Sequence, residues 1–326
     1  MSLRICYIGA GSFSNRFIYP QLPRHDVELA AVCDLVEQKA RAAAGTFGFR
    51  NVYTDFERML DAEQPEAVFC VGRQDMQHEV GLRVLERGLP VYVQKPAAQT
   101  AAQVREMAAT AACTGALCHV GFNLRSSPAV RKMKELLAGG EFGPPTLMIF
   151  RYGLMVNPVW RQAIADQHVH AVDTVLHLLG DWQSAHVVPL LDEHARGYIA
   201  ALRLTSGALA SLNTISEQDP SDEFLYFEVT GRGGHCVMSN DGDLRYHRPG
   251  GDDLCLRYGT WNPQRLIDWY GYFDDVANFL AAVRGDEPDR CPVADTIRTM
   301  ELCEEIARQC YAGGVAECGS PPSSTP

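Results

Sequence analysis

Lys95 is one of only four lysines in a chain that carries twenty-five arginines. It closes the strand-like run Pro90-Val91-Tyr92-Val93-Gln94 and is followed by Pro96. In an open parallel sheet ligands bind beyond the carboxyl ends of the strands, so an ammonium there is expected to meet a ligand. It can hydrogen-bond a substrate oxygen and stabilise negative charge developing on it. The other lysines, Lys39, Lys132 and Lys134, fall in helical stretches that face water. In the second half Asp166, His170, Asp173 and His177 recur at intervals of four, three and four, which on a helix makes one stripe of two carboxylates and two imidazoles. His170 suits a general base, because imidazole titrates near working pH, and Asp166 or Asp173 can orient it or hold substrate hydroxyls. His177 is read as facing solvent. His168 and His170 with one of these carboxylates form a rival zinc set that would activate water for hydrolysis. The two imidazoles are two residues apart and diverge on a helix, which ranks metal below the acid-base reading.

A third feature is Gly9-Ala10-Gly11-Ser12-Phe13-Ser14, directly after the first strand. In a dinucleotide turn the first glycine makes the bend, the second lets backbone approach a pyrophosphate, and the third is where helix packs on strand. Ser14 takes the third place here. Twenty residues further on, Asp34 ends the second strand, where a carboxylate accepts the ribose hydroxyls of an adenosine. The same carboxylate repels a 2′-phosphate, so NAD is favoured over NADP, with Lys39 and Arg41 near enough to keep NADP as the second option.

These residues need particular elements behind them. Strand-like runs at 4–8, 28–33, 66–71, 90–93 and 117–120 alternate with helical patterning at 36–46, 56–63, 75–87 and 101–113. That alternation predicts a doubly wound parallel sheet with helices on both faces over residues 1–122. After Pro128 short runs are joined by Ser206-Gly207 and Asp241-Gly242, which are hairpin signals. Residues 123–312 are therefore expected to form an α+β domain with a largely antiparallel open sheet. Its helices are predicted at 129–137 and 166–179 and, at the end of the chain, 266–284 and 293–312. The tail 313–326, rich in Gly, Ser and Pro, is expected to be disordered.

Composition removes several classes of function. The chain has 326 residues, 46% hydrophobic and 21% charged, with a formal charge of −11. No apolar run approaches the ~18 residues of a membrane span. Residues 217–308 hold nineteen acidic and nine basic side chains, a surplus that repels polyanions and disfavours nucleic acid as a partner. Eleven cysteines without a CxxC pair read as reduced core thiols, and with no leader-like segment the expected location is the cytoplasm.

Taken in order, the motifs resemble the glucose-fructose oxidoreductase, inositol dehydrogenase and rhizopine catabolism family. The resemblance is carried by Gly9-Ala10-Gly11, the segment Tyr53 to Leu60, Gln94-Lys95-Pro96, Phe122 to Pro128, and Asp166, His170 and Asp173 in the spacing Asp-x-x-x-His-x-x-Asp. It implies a nicotinamide enzyme that moves a hydride between NAD(P) and a sugar, cyclitol or related polyol, with Lys95, His170 and Asp166 as the catalytic set. It further implies substrate contacts from Asp173, Arg125, Trp160 and Arg161. Cofactor contacts would come from Gly9, Gly11, Ser12, Phe13, Asp34, Val71, His78, Gln94 and Lys95, with no metal. A homodimer or homotetramer formed through the open face of the second sheet is expected. Three departures stand out: Gln94 in place of the usual Glu, which should lower the pKa of Lys95 if the two side chains are close; Val71-Gly72-Arg73-Gln74-Asp75 where Thr-Pro-Asn is usual; and His168 where Gly is frequent, with Trp160-Arg161 only a few residues ahead of Asp166. A sensor that keeps the fold without turnover is the main alternative, and the metal hydrolase the lesser one.

Overall fold

The computed structural model describes residues 2–153, 164–191, 196–215, 224–240, 242–257 and 265–312. They fall into two compact units. The first combines Met1–Ser126 with the later segment Pro263–Ile297; the second combines Ser127–Asn262 with Arg298–Pro326. The sequence predicts one boundary between the domains, near residue 122, with residues 123–312 in the second domain. The contacts divide it differently, because the 263–297 segment carries an apolar helix face that belongs to the first core.

In the first unit six strands, β1 (Leu3–Ile8), β2 (Val27–Cys33), β3 (Asn51–Tyr53), β4 (Ala67–Cys70), β5 (Val91–Gln94) and β6 (Cys118–Gly121), form one parallel sheet. Their order is β3-β2-β1-β4-β5-β6, the Rossmann arrangement in which the strand sequence reverses between β1 and β4. Every residue of β4, β5 and β6 is buried, as a sheet covered on both faces requires. Helices α1 (Glu37–Phe47), α2 (Phe56–Glu63), α3 (Gln74–Glu86) and α4 (Ala101–Thr114) connect them. Asp55 caps α2 by accepting from the amides of Glu57 and Arg58, and Thr100 with Gln103 forms a capping box at α4.

The chain after β1 does not form a long α-helix. One π-helical turn, Ser14–Ile18, runs into a 3-10 stretch, Tyr19–Arg24, because Pro20 and Pro23 supply no amide hydrogen for a continuing ladder. Three further helices follow: α5 (Asn123–Ser126), α6 (Pro128–Ala138) and α7 (Val169–Leu179). The returning segment of the first unit holds α8 (Arg265–Trp269) and α9 (Tyr272–Arg284). From α9, Val276, Phe279 and Leu280 enter the same apolar cluster as Leu3, Ile5, Tyr7, Phe69 and Tyr92.

The second unit is built on eight strands: β7 (Pro145–Gly153), β8 (Trp182–Leu191), β9 (Arg196–Leu204), β10 (Leu209–Ile215), β11 (Phe224–Gly231), β12 (Cys236–Asn240), β13 (Asp243–His247) and β14 (Leu254–Leu256). Their order is β14-β13-β12-β11-β7-β10-β9-β8, antiparallel throughout except for the β7–β10 pair. Helices α6 and α7 pack against the sheet, and Met133, Val172 and Val175 on them are buried, as are Leu302 and Ile306 of α10 (Ile297–Tyr311). Burial alternates along β10, and the outward positions include Leu147, Val188, Leu190, Ile199 and Leu209, all exposed. The predicted tail, 313–326, lies outside the described residues.

Candidate active site

In the first unit the carboxyl ends of β1, β2, β4 and β5 gather most of the residues expected to bind a cofactor. Gly9 has φ +104°, and a Cβ there would overlap the carbonyl oxygen of Val71. Only glycine fits both the backbone angle and that approach. The amide of Gly9 donates to the Cys33 carbonyl at 2.8 Å, and Val71 donates to the Ile8 carbonyl at 2.9 Å, so the turn is pinned to the strands on either side. Gly11 is different: it and Ser12 are exposed, and a Cβ on Gly11 would meet no heavy atom within 4 Å. The space over this backbone is open.

Asp34 joins this turn. One carboxylate oxygen accepts from the Ala10 amide at 2.7 Å and the other from the Val36 amide at 2.9 Å. Each oxygen keeps lone pairs for ligand hydroxyls. Ser14, at the third glycine position, is buried, and its hydroxyl accepts from the Tyr7 phenol at 3.0 Å, so a hydrogen-bonded pair fills the place where a bare backbone would pack. Phe13 lies against Phe17 and Tyr272, with ring centroids 5.1 and 5.8 Å away.

At the end of β5, Gln94 is buried and its Oε1 accepts from the Lys95 amide at 2.8 Å. Its Nε2 has no acceptor among the described residues, which leaves a buried donor beside Lys95 that a ligand oxygen can satisfy. The Lys95-Pro96 bond, whose isomer sequence does not decide, is cis. His78 is placed elsewhere: its Nε2 lies 2.9 Å from Glu106 on α4, between two helices. Its neighbour Gln77 is the residue that reaches the strand end. Arg125, on α5, is buried with its guanidinium 5.5 Å from the Phe122 ring centroid.

The second unit holds the acid and imidazole group. Helix α7 begins at Val169 with His168 at its cap, so the helix predicted from residue 166 starts later and Asp166, half-buried, precedes it. The single stripe running back to Asp166 is thereby interrupted. His170 is buried in the first turn, and its carbonyl accepts from the Thr174 hydroxyl at 2.8 Å. Asp173, one turn on and buried, accepts from the Thr299 hydroxyl at 3.1 Å. His168 is fully buried against Tyr198, with centroids 5.3 Å apart, and burial pushes its pKa down to about 3. That ring is neutral at working pH. Among the described residues no group of three or more His, Cys, Asp or Glu side chains could hold a metal. Trp160 and Arg161 lie outside the described residues.

Residues 3–122 match the model of the oxidoreductase family with an NAD-binding Rossmann fold, known by its members glucose-fructose oxidoreductase, inositol dehydrogenase and the rhizopine protein. D-apiose dehydrogenase of Paraburkholderia graminis is 25% identical over 98% of this chain and 90% of its own length. Over residues 3–122 the chain is similar to this family's NAD-binding Rossmann domain. D-glucoside 3-dehydrogenase of Escherichia coli is 29% identical over 55% of this chain, a match that spans only about half, 54%, of that curated relative. A solved dehydrogenase structure from Chromobacterium violaceum superposes with a TM-score of 0.90, at 20% identity, over 97% of this chain and 98% of its own. The open backbone at Gly11, the lone pairs left on Asp34 and the buried Gln94 donor fit the dinucleotide that this family fold binds.

Sequence reasoning missed several residues around the turn. Tyr19 donates to the Gly9 carbonyl at 2.8 Å, and Asn15 caps the Gly11 carbonyl at 2.8 Å. Leu35, directly after Asp34, is 92% exposed, an apolar surface that an adenine ring would cover. An apolar pair following the strand-end acid was the available signal. The two glycines give a contrasting prediction. Gly9→Ala is expected to lower both thermal stability and NADH affinity, the latter by at least about tenfold, since left-handed strain and overlap cost ~1–3 kcal/mol. Gly11→Ala should leave the melting temperature unchanged and weaken only NADH binding. Equal melting temperatures for the two variants would refute this division.

Proposed function

We propose that this protein is an NAD-dependent dehydrogenase or reductase that interconverts an alcohol and a ketone on a sugar, cyclitol or related polyol. The observation that carries the reading is the strand-end assembly of Gly9, Gly11, Asp34, Gln94 and Lys95 in the first unit. NAD, when bound, supplies the hydride acceptor, or in the reverse direction NADH the donor. Gly11 and Ser12 would hold the pyrophosphate and Asp34 the adenosine ribose. Lys95 Nζ donates a hydrogen bond to the substrate oxygen, and an imidazole nitrogen of His170 takes the hydroxyl proton. Asp166 orients the imidazole, while Asp173, Arg125, Trp160 and Arg161 belong to the substrate side. His78 is left out of the cofactor set, because its ring is engaged by Glu106.

The sugar and glucoside activities in the names of the two curated relatives support the substrate class. The exposed apolar face of the second sheet, Leu147, Val188, Leu190, Ile199 and Leu209, supports a homo-oligomer. The ten cysteines among the described residues, all free, and no described helix able to cross a membrane, support a cytoplasmic site of action. The test is fluorescence titration with NADH and NADPH, followed by a panel of sugars and cyclitols, on protein whose mass is read by light scattering. NADH binding at micromolar concentration with turnover of at least one sugar is expected. Failure to bind either nucleotide overturns the function, and a protomer mass overturns the assembly.

A further inference from the structure

We propose that Gln77 is a positioning residue that holds the backbone presenting Lys95. The proposal rests on the reading above that Lys95 meets the substrate oxygen. Gln77 is 1% exposed on α3. Its Nε2 donates to the carbonyls of Gln94 at 2.9 Å and Pro96 at 3.1 Å. Its Oε1 accepts from the Gln94 amide at 2.9 Å and, more weakly, from the Gly72 amide at 3.4 Å. The reversed amide would set N–H against N–H and oxygen against oxygen, so the orientation is fixed by its partners.

The register of the sheet explains why a side chain is needed there. β4 pairs with β5 as far as Cys70 opposite Val93 and then ends, while β5 runs one residue further and pairs with β6 through Gln94 and Gly121. On the β4 side the amide and carbonyl of Gln94 have no strand to pair with. A buried peptide group left in that state is costly. A glutamine side chain offers the same donor and acceptor as a peptide group, and Gln77 supplies them where β4 stops. Its bonds fall on the residues before and after Lys95, so the backbone direction of Lys95 is set from both sides. The Gly72 contact ties the loop after β4 to the same amide.

A misplacement of about 1 Å in a catalytic group can lower a rate on the order of 100-fold. Gln77→Met, close in volume but unable to make the four bonds, is expected to lower kcat about 10- to 100-fold on the most active sugar. The KM for NAD and the NADH affinity by fluorescence titration should stay close to wild type, because the glycine turn and Asp34 are untouched. The deciding experiment is a double-mutant cycle with Lys95→Met. If Gln77 acts through Lys95, adding Gln77→Met to Lys95→Met lowers kcat no further; a second loss of the full size shows a general structural role and overturns the proposal. Should Gln77→Met not fold, Gln77→Glu takes its place in the cycle: it keeps the acceptor oxygen and loses the donor until its carboxyl is protonated. Its kcat relative to wild type should rise as pH falls, and a flat ratio overturns the proposal. An unaffected Lys95→Met would remove the parent reading, whereas an inactive Lys95→Met beside a wild-type Gln77→Met removes only this one.

Discussion

Lys95→Met is expected to reduce kcat by about 10²- to 10³-fold on every sugar the wild type turns over, while NADH still binds. Methionine keeps the length and apolar stem of lysine and removes the ammonium, so the substrate oxygen loses its donor while charge develops on it. Binding of the dinucleotide should survive, because the turn at Gly9 to Ser12 and the Asp34 carboxylate are held by backbone bonds to neighbouring strands. The two measurements separate chemistry from binding. Turnover at the wild-type rate in the variant would remove Lys95 from the mechanism and return the protein to the class of sensors that bind a nucleotide without using it. Loss of NADH binding along with turnover would show instead that the lysine serves the cofactor.

The largest effect on stability is expected at His119, in the core of the first unit. This imidazole, on β6, is 1% exposed and lies between two carboxylates, Asp275 of α9 at 3.3 Å and Asp289 at 2.6 Å. Asp275 also accepts from the Tyr92 phenol at 2.8 Å, and Asp289 from the Cys291 amide at 2.9 Å. Burial works to lower the pKa of His119, but Asp275 and Asp289 outweigh it and hold the value at about 9, above the 6.5 of an unperturbed imidazole. The ring is therefore cationic at neutral pH.

His119→Leu leaves two buried carboxylates facing a hydrocarbon, and removal of one partner from a buried ion cluster costs about 3–5 kcal/mol. For a unit of this size the melting temperature should fall on the order of 10 °C. The pH dependence has a definite sign. A group whose pKa is raised on folding contributes its full stability below the unfolded value and loses it as pH climbs through the folded one. The wild-type advantage over His119→Leu should be greatest below pH 6.5 and shrink as the pH rises through about 9. Thermal denaturation at three pH values across that window decides the matter. A gap that widens with pH, or no gap, would show that the ring is not the cation holding α9 to the sheet.

Much of the first unit was legible because its signals are local. Strand, Gly-x-Gly turn and strand-end acid fall within the first 34 residues, and the strand order follows from alternating patterning with right-handed crossovers. Lys95 was legible for a similar reason, being a scarce residue type at a strand end. His119 was not, since Asp275 and Asp289 are 156 and 170 residues away along the chain and no spacing rule links them. Gln77 was hidden by its neighbour: His78 is the residue type that suggests chemistry, yet helix geometry turns the amide, and not the imidazole, toward β5. Periodicity also failed to find the start of α7, because no proline or glycine marks the break between Asp166 and Val169. Pro20 and Pro23 are the local mark of the short helical turns after β1.

The return of Val276, Phe279 and Leu280 to the cluster that contains Leu3 and Ile5 constrains the order in which the protein can be made. A ribosome that has released only the first 126 residues has synthesised all six strands of the parallel sheet without the helix that seals one side of it. Those strands must wait, with apolar surface uncovered, through the synthesis of the whole second sheet. A fragment cut at the apparent end of the nucleotide domain would keep that surface exposed permanently. Excising the cofactor module for engineering therefore requires grafting residues 265–297 back onto it.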